Sequence, residues 1–148
     1  MVTPPETGLV EREIRIAARP ETIFAFLTDP AKLTRWQGTV ATLDPRPGGT
    51  YHVVVSGQHV ARGQFLVVEP YDRVVYTWGW EGNTEVPPGS STVEITLTRE
   101  GAETVVRLRH LGLPLGAVEP HGTGWDHYLP RLIAVAEGRD AGPDPWAA

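Results

Sequence analysis

The stretch GWDHYLPRLIAVAEG, residues 124–138, decides the fold of this chain. At 3.6 residues per turn its apolar side chains fall on one face of a helix and its charged side chains on the other. The apolar face carries Trp125, Leu129, Leu132, Ile133 and Ala136. Thr123 and Asp126 are spaced as in a capping box, which predicts that the helix begins here, and Gly138 suits a left-handed C-terminal cap. Because one face is broadly apolar, this helix must pack on another layer, and only a sheet can supply that layer.

Pro130 lies inside the predicted helix and cannot donate a hydrogen bond to the carbonyl of Asp126. We expect a bend there rather than a helix end, because the apolar stripe continues in phase through Ala136. Residues 139–148 are rich in proline and glycine and are expected to form an irregular tail. Whether Trp146 docks on the domain stays open, although burying its indole would be favourable.

The segment before the helix reads as one strand, two short helices and then a series of strands. Residues 9–18 alternate between apolar and charged side chains, except that Arg12 shares the parity of the apolar set. Pro20 and the pair Asp29-Pro30 each mark a helix start. The strands expected after these helices are 39–44, 50–56, 59–69, 73–81, 91–99 and 103–111. The connections between these strands are too short for helical crossovers, so the sheet should be antiparallel.

Size and composition are those of one soluble domain with a core of about residues 9–138. The chain has 148 residues, no cysteine and a net charge of −5. A thiolate nucleophile, a disulfide and a cysteine-bound metal are thereby excluded, and an acidic chain does not suit a nucleic-acid partner. No apolar run approaches the roughly 20 residues of a membrane-spanning helix. We therefore expect a cytoplasmic protein without a membrane or nucleic-acid partner.

Three stretches, in this order, resemble a known family. They are PETIFAFLTDP at 20–30, GQFLVVEP at 63–70 leading into VVYTW at 74–78, and GWDHYL at 124–129. Together they are similar to the heat-shock-protein-90 ATPase activator homologue family, a branch of the START-like superfamily also called SRPBCC. The resemblance implies an α+β helix-grip fold, in which a curved antiparallel sheet of about six or seven strands wraps a long C-terminal helix. It covers about residues 9–138 and indicates fold rather than activity.

In helix-grip proteins the space between sheet and helix is often a hydrophobic cavity, so the side chains directed into it are the candidates for ligand binding. Strand parity and the helix stripe give one set of candidates for ligand binding. They are Phe24, Trp36, Tyr76, Trp78, Trp80, Ile95, Leu97, Leu108, His110, Trp125 and Leu129. An aromatic wall with few polar groups is typical of sites for apolar ligands, but the same residues can equally fill a solid core. Asp126 has two open roles, at the mouth of such a cavity or in the helix cap.

His110 is the polar candidate of greatest interest, because it shares a strand face with apolar residues. It can act as a general base, or it can be a structural histidine with satisfied hydrogen bonds. The positions of His52 and His59, beside a predicted hairpin, cannot be assigned from parity. His121 and His127 are six residues apart, which does not fit a helical metal pair, so no metal and no cofactor are expected. The loop Gly82–Ser90 exceeds what a hairpin needs and is either a lid over the cavity or a solvated surface loop.

Three functions remain open at this point. The first is a binding module for a small hydrophobic molecule, which requires a cavity of a few hundred cubic ångströms. The second is an interaction protein, either chaperone-like or a homodimer, that uses an exposed apolar patch. The third is an enzyme of the cyclase or aromatase kind that uses His110, a hypothesis drawn from resemblance to polyketide cyclases of the superfamily. We favour them in that order.

Overall fold

The computed structural model describes residues 7–147 and has an α+β architecture with one curved antiparallel sheet. The sheet is formed by β1 (Thr7–Ile16), β2 (Val40–Leu43), β3 (Thr50–Ser56), β4 (His59–Glu69), β5 (Arg73–Trp78), β6 (Ser91–Glu100) and β7 (Glu103–Pro114). The helices are α1 (Pro20–Thr28), α2 (Pro30–Leu33) and α3 (Leu115–Ala136). The predicted helix-grip order of one strand, two helices, six strands and a long helix is confirmed.

The seven strands lie in the order β1-β7-β6-β5-β4-β3-β2. The last six form a meander, and β1 pairs with β7, so the first and last strands of the chain lie side by side. Antiparallel neighbours follow from the short connections, as the sequence indicates. Strand β2 lies at the other edge and pairs with β3 alone.

The long helix differs from its prediction at its start. α3 begins at Leu115, directly after β7, rather than near residue 124, so the proposed capping box lies in the middle of the helix. The segment 115–123 contains Pro120 and two glycines and is intrinsically a poor helix. Packing outweighs this weak propensity, because Ala117 and Gly122 are buried. The helix continues through Pro130 to Ala136, and the bend expected at Pro130 stays a prediction.

Asp126 neither caps the helix nor points into a cavity. Its carboxylate accepts a hydrogen bond from Arg12 Nε, with 2.7 Å between Nε and Oδ1. This pair explains why Arg12 breaks the alternation of its strand, since its side chain reaches across to α3. Gly122 makes room for it, because a Cβ there would lie 3.0 Å from Arg12 Nη2. The pair fastens the edge strand β1 to the helix.

The other local signals are confirmed where they mark helix ends. The Asp29 side chain accepts hydrogen bonds from the backbone N–H groups of Ala31 and Lys32 at the start of α2. Gly138 has a φ of 86° just beyond the end of α3, as a left-handed cap requires. Residues 139–147 contain no helix or strand.

The inner sheet face follows the predicted parity. Buried side chains alternate along β6 from Ser91 to Leu97, and His110 of β7 is fully buried. Along β5 and β7 the residues predicted to face inward are buried, but Val75, Thr104 and Val105 are buried as well. Strand β5 ends at Trp78 rather than at residue 81, and Trp80 reaches Ala61 only through an isolated bridge. The break comes at Gly79, after which the chain turns back and Trp80 N–H donates to Val86 O.

Within residues 7–147, no helix is both long and apolar enough to span a membrane.

Candidate functional site

A half-open cavity of about 380 Å³ lies between α3 and the sheet. Its lining combines the β3–β4 hairpin, the end of β5, the middle of α3 and the C-terminal tail. The lining residues are Gln37, Val55, Ser56, His59, Trp78, Trp80, Pro120, His121, Gly124, Trp125, Tyr128 and Trp146. His59 and Trp146 are exposed, so the cavity opens to solvent on their side. Its volume falls within the range of small-molecule sites. We call it the aromatic pocket.

The tryptophans of the aromatic pocket pack against one another. The Trp78 ring centroid lies 5.1 Å from that of Trp80, with the planes at 83°, and 5.9 Å from that of Trp125. Edge-to-face and tilted arrangements of this kind are the favourable ones for aromatic pairs. Trp78 ends β5 and Trp80 follows it, whereas Trp125 belongs to α3. The three rings therefore pack together where the sheet meets the helix.

His110 lies directly behind these tryptophans, and both of its ring nitrogens take part in one continuous series of hydrogen bonds. Trp125 Nε1–H donates to His110 Nδ1 at 3.0 Å, which leaves the proton of a neutral ring on Nε2. His110 Nε2–H donates to Ser91 Oγ at 2.9 Å, and the Ser91 hydroxyl donates to Trp78 O at 2.7 Å. Burial, with a smaller contribution from neighbouring His121, lowers the pKa of His110 to about 3. The imidazole is therefore neutral near pH 7, and both ring nitrogens are engaged.

This arrangement bears on the hypothesis that His110 is a general base. A base needs a free lone pair near the substrate, and here the Nδ1 lone pair is taken by the indole of Trp125. No carboxylate within residues 7–147 forms a hydrogen bond with the ring. The catalytic role of His110 stays a prediction, and the geometry supports a structural role better.

His121, which lines the pocket, accepts a hydrogen bond from an indole N–H in the same way as His110. Trp80 Nε1–H donates to His121 Nε2 at 3.0 Å, so the proton lies on Nδ1, 2.8 Å from Ala117 O. Burial lowers the pKa of His121, opposed in part by its bond to the Ala117 carbonyl. The ring centroids of the two histidines are 5.2 Å apart. Two neutral imidazoles, each accepting from an indole, therefore stand beside the pocket.

The C-terminal tail supplies the outer wall of the pocket. Trp146 stacks on His127, with 3.7 Å between ring centroids and 14° between planes. His127 Nε2 lies 2.8 Å from Asp144 Oδ1, which also accepts from Trp146 N–H. Arg131 donates to the carbonyls of residues 141 and 142, at 3.2 and 3.1 Å. The tail thus folds back along α3 and docks Trp146 against the pocket.

Three polar atoms of the lining residues are buried without a hydrogen-bond partner in the described part of the chain. They are Trp78 Nε1, Gln37 Oε1 and the Tyr128 hydroxyl oxygen. Burial and the nearby carboxylate of Asp144 raise the pKa of Tyr128 to about 12, so its hydroxyl stays protonated. Buried polar groups without partners are few in folded proteins, and each calls for an explanation.

The structure brings together only part of the predicted ligand-binding set. Trp78, Trp80 and Trp125 line the pocket. The other predicted residues are at most 7% exposed and belong to the packed interior. These interior residues are Phe24, Trp36, Tyr76, Ile95, Leu97, Leu108, His110 and Leu129. The two readings of the aromatic face, cavity and solid core, thus both apply, to different parts of that face.

Pocket residues absent from the predicted set come from the β3–β4 hairpin, from α3 and from two irregular segments. Gln37 follows α2, Trp146 belongs to the tail, and Pro120 and His121 lie in the part of α3 that precedes the predicted helix start near residue 124. Strand parity does give a signal for Val55, since it shares a face with buried Tyr51 and Val53.

Within residues 7–147, no group of three or more histidine, aspartate or glutamate side chains is arranged to hold a metal ion. His52 Nε2 lies 3.8 Å from a carboxylate oxygen of Glu81, and His59 Nδ1 lies 3.4 Å from Ser56 Oγ. The loop Gly82–Ser90 contributes no residue to the aromatic pocket, and it is anchored by buried Val86 and by the Asn83 side chain. Its role as a lid stays a prediction.

Comparison with known proteins gives a consistent answer. The family described as "Activator of Hsp90 ATPase homolog 1-like protein" matches residues 17–137. The solution structure of an AHSA1-like protein from Rhizobium etli is 50% identical in sequence, with a TM-score of 0.77, and the match covers 97% of this chain and 91% of that one. A Schizosaccharomyces pombe protein is 32% identical over 119 residues, which is 76% of this chain but 32% of that protein. The chain therefore spans about a third of the yeast protein's length.

A more distant likeness concerns assembly. The solution structure of the Aha1 dimer from Colwellia psychrerythraea has a TM-score of 0.75 at 22% identity, covering 88% of this chain and 97% of that one. At this identity the likeness shows the fold alone. The family match spans the sheet and most of the long helix, so this chain belongs to the Activator of Hsp90 ATPase homolog 1-like family of START-like proteins.

Proposed function

We propose that this protein binds a small hydrophobic or aromatic molecule in the aromatic pocket. The observation that carries the proposal is a half-open cavity of about 380 Å³ whose lining includes four tryptophans and one tyrosine. An empty apolar cavity forfeits the dispersion contacts of the side chains that line it, and an apolar ligand restores them. Since a cavity of about 150 Å³ holds benzene, this one has room for roughly two fused rings.

Gly124 offers a way to close the pocket without disturbing the core. It lies on α3 in the lining, and a Cβ at this position would meet no atom within 4 Å. Gly124→Leu should therefore place an apolar side chain in the cavity while raising helix propensity by about 1 kcal/mol. Gly116 is the matched control, because it also lies on α3 with free space around its Cβ but is not part of the lining.

The test is a thermal-shift screen of small hydrophobic and aromatic molecules against the full chain, followed by the two variants. Ligands that raise the melting temperature of the original protein should also raise that of Gly116→Leu, but not that of Gly124→Leu. If the screen finds no binder, or if Gly124→Leu responds as strongly as Gly116→Leu, the pocket is not the binding site.

Self-association is a second candidate function. Val40 and Leu115 are each 57% exposed, and Val40 lies on the edge strand β2, whose outer side has no neighbouring strand within residues 7–147. Exposed apolar edges favour pairing between chains, and the Colwellia relative is a dimer. Sedimentation velocity of the original protein and of Val40→Lys tests this: a dimer that Val40→Lys dissociates supports it, and a monomer at all concentrations rejects it. A chaperone partner and a cyclase activity stay predictions.

A further inference from the structure

Trp80 and His59 lie on the border between two cavities. Besides lining the aromatic pocket, both residues line a smaller cavity of about 190 Å³. We call this cavity the outer recess, and its lining residues are Gln58, His59, Trp80, Glu81, Gly82 and Asn83. All of them except Trp80 are exposed, so the outer recess opens to solvent. The partly buried ring of Trp80 thus separates the aromatic pocket from the outer recess.

The side chain of Trp80 is held by a single polar contact. Within residues 7–147, its only hydrogen bond runs from Nε1–H to His121 Nε2, at 3.0 Å. The backbone of Trp80 is fixed independently, because its N–H donates to Val86 O at 2.8 Å. Since a cavity of about 150 Å³ holds benzene, the outer recess has room for a displaced ring. The side chain, and not the strand end, is therefore the part that can move.

The similar pair formed by Trp125 and His110 is enclosed by the core. Trp125 is 3% exposed and His110 is fully buried. The other ring nitrogen of His110 is bound to Ser91 Oγ at 2.9 Å, also inside the core. Of the two indole–imidazole pairs, only that of Trp80 borders open space among the described residues.

His121 is the acceptor on which the position of Trp80 depends. Its Nδ1–H donates to Ala117 O at 2.8 Å, and this bond survives protonation because Nδ1 carries hydrogen in both states. A proton on Nε2 would instead face the Trp80 N–H, and an indole nitrogen can only donate. Protonation therefore leaves the imidazole in place and repels the indole.

No negative charge stabilises a protonated His121 while Trp80 covers it. The titratable groups on the surrounding elements are His110 on β7, His59 on the β3–β4 hairpin, Glu81 after β5, Glu119 on α3 and Asp144 in the tail. Within residues 7–147, the histidines with a carboxylate oxygen within 4 Å are His52 and His127. Burial is the main cause that lowers the pKa of His121. Moving Trp80 aside admits water, so the proton binds preferentially to the open form.

We propose that Trp80 is a proton-controlled gate between the aromatic pocket and the outer recess, closed by its hydrogen bond to neutral His121 and opened when His121 is protonated. The gate is closed above the ordinary histidine pKa of 6.5. As the pH falls below this value, the ratio of open to closed protein should rise by up to about tenfold per pH unit. The inference concerns the protein without ligand, so it does not depend on the proposed function.

Fluorine NMR of the full chain labelled with 5-fluorotryptophan follows the Trp80 ring directly, and Trp80→Phe identifies its resonance. Between pH 8 and pH 5 this resonance should shift, because the ring leaves its contact with His121. Its solvent isotope shift between H₂O and D₂O should approach that of Trp146, which is 43% exposed. The resonance of Trp36, which is 1% exposed, should stay unchanged.

Substitutions at His121 fix the gate in one state or the other. His121→Gln keeps an acceptor for the indole but does not titrate, so Trp80 should stay buried at pH 5. His121→Leu removes the acceptor, so the Trp80 resonance should move toward its exposed position already at pH 8. His127→Gln is the matched control, because it removes a different histidine of α3 and should leave the pH response of Trp80 intact. If His121→Leu does not fold, His121→Gln still tests the gate.

Three results would contradict the gate. The first is a Trp80 resonance that does not respond between pH 8 and pH 5, and the second is a response that persists in His121→Gln. The third is a Trp80 resonance that changes only together with the backbone amide signals of the sheet, because acid then unfolds the domain without opening a gate. A response of Trp80 that precedes any change in the sheet and is lost in His121→Gln supports it.

Discussion

Two tryptophans of this protein are equally buried but differ in what their indole nitrogens do. Trp36, just after α2, is 1% exposed, and its Nε1–H donates to Phe26 O at 2.9 Å. Trp78, at the end of β5, is 3% exposed, and its Nε1–H has no partner among residues 7–147. Both lie on the apolar side of the sheet. Trp36 completes the core, whereas Trp78 borders the aromatic pocket and keeps a buried donor without a partner.

The comparison shows why burial alone is a weak guide to function. A satisfied indole contributes volume and a hydrogen bond to folding, whereas an unsatisfied one contributes volume but loses free energy at its nitrogen. Trp36 belongs to the buried core and does not line the aromatic pocket, whereas Trp78 does.

Substituting phenylalanine at both positions tests this distinction directly. Trp36→Phe should lower the free energy of unfolding by about 3 kcal/mol, because it creates a cavity and leaves the Phe26 carbonyl without its donor. Trp78→Phe should lower it by about 1 kcal/mol, because the donor it removes was unsatisfied. Urea denaturation of both variants measures the two values. Equal losses would show that the nitrogen of Trp78 is satisfied in solution.

Acid should lower the free energy of unfolding through the histidine–indole pairs, whereas the hydrogen bond of Trp36 contains no titratable group. The folded pKa of His110 is about 3 and its ordinary value is 6.5, so the unfolded chain gains a proton below pH 6.5 that the folded chain does not. Stability is therefore retained above pH 6.5 and falls as the pH drops through this window toward 3. Between pH 7 and 5 the loss from His110 is about 2 kcal/mol, and His121, whose pKa is also lowered, adds to it.

Urea midpoints of the original protein and of His110→Asn, measured from pH 7 to pH 5, provide the test. The variant should show a clearly shallower pH dependence, whatever its absolute stability. If the urea midpoint of the original protein does not change with pH, His110 is protonated in the folded state and does not accept the Trp125 N–H on Nδ1.

The sequence predicts the fold well because its signals are local and agree with one another. Alternation along the strands, the caps at Asp29 and Gly138, and short connections all indicate an antiparallel sheet with a helix at the end. The errors come where packing outweighs propensity. The first nine residues of α3 contain Pro120 and two glycines, and only their contacts with the sheet make them helical.

The candidate site is predicted less well, because periodicity identifies a face but not the position along it where packing leaves space. Phe24 and Trp78 are both apolar residues directed inward, yet only Trp78 borders the cavity. Trp146 comes from an irregular tail, for which no periodicity exists. The pairing of Trp80 with His121 spans 41 residues and depends on the register of the whole sheet.

Removing the Trp146 ring from the tail should change stability less, but it should also change ligand binding. Trp146 is 43% exposed, so Trp146→Ala should lower the free energy of unfolding by less than about 1 kcal/mol. Since its ring forms the outer wall of the pocket, ligand dissociation should become about three- to tenfold faster, as interface truncations act mainly on off-rates. Stopped-flow dissociation of the tightest binder from the thermal-shift screen measures this. An unchanged off-rate would show that the tail does not retain the ligand.

The smallest effect is expected from the ion pair on the other side of α3. Arg12 and Asp126 have side chains that are 37% and 59% exposed, and solvent screens their attraction despite the short distance of 2.7 Å. Asp126→Asn should therefore lower the free energy of unfolding by about 0.5 kcal/mol, and the loss should shrink in 1 M salt. A double-mutant cycle with Arg12→Gln isolates the pair. A coupling well above 1 kcal/mol would mean that the pair fixes the position of α3 on the sheet, and Asp126→Asn should then also alter ligand affinity. A small coupling would mean that the aromatic contacts of Trp78 and Trp125 hold the helix in place by themselves.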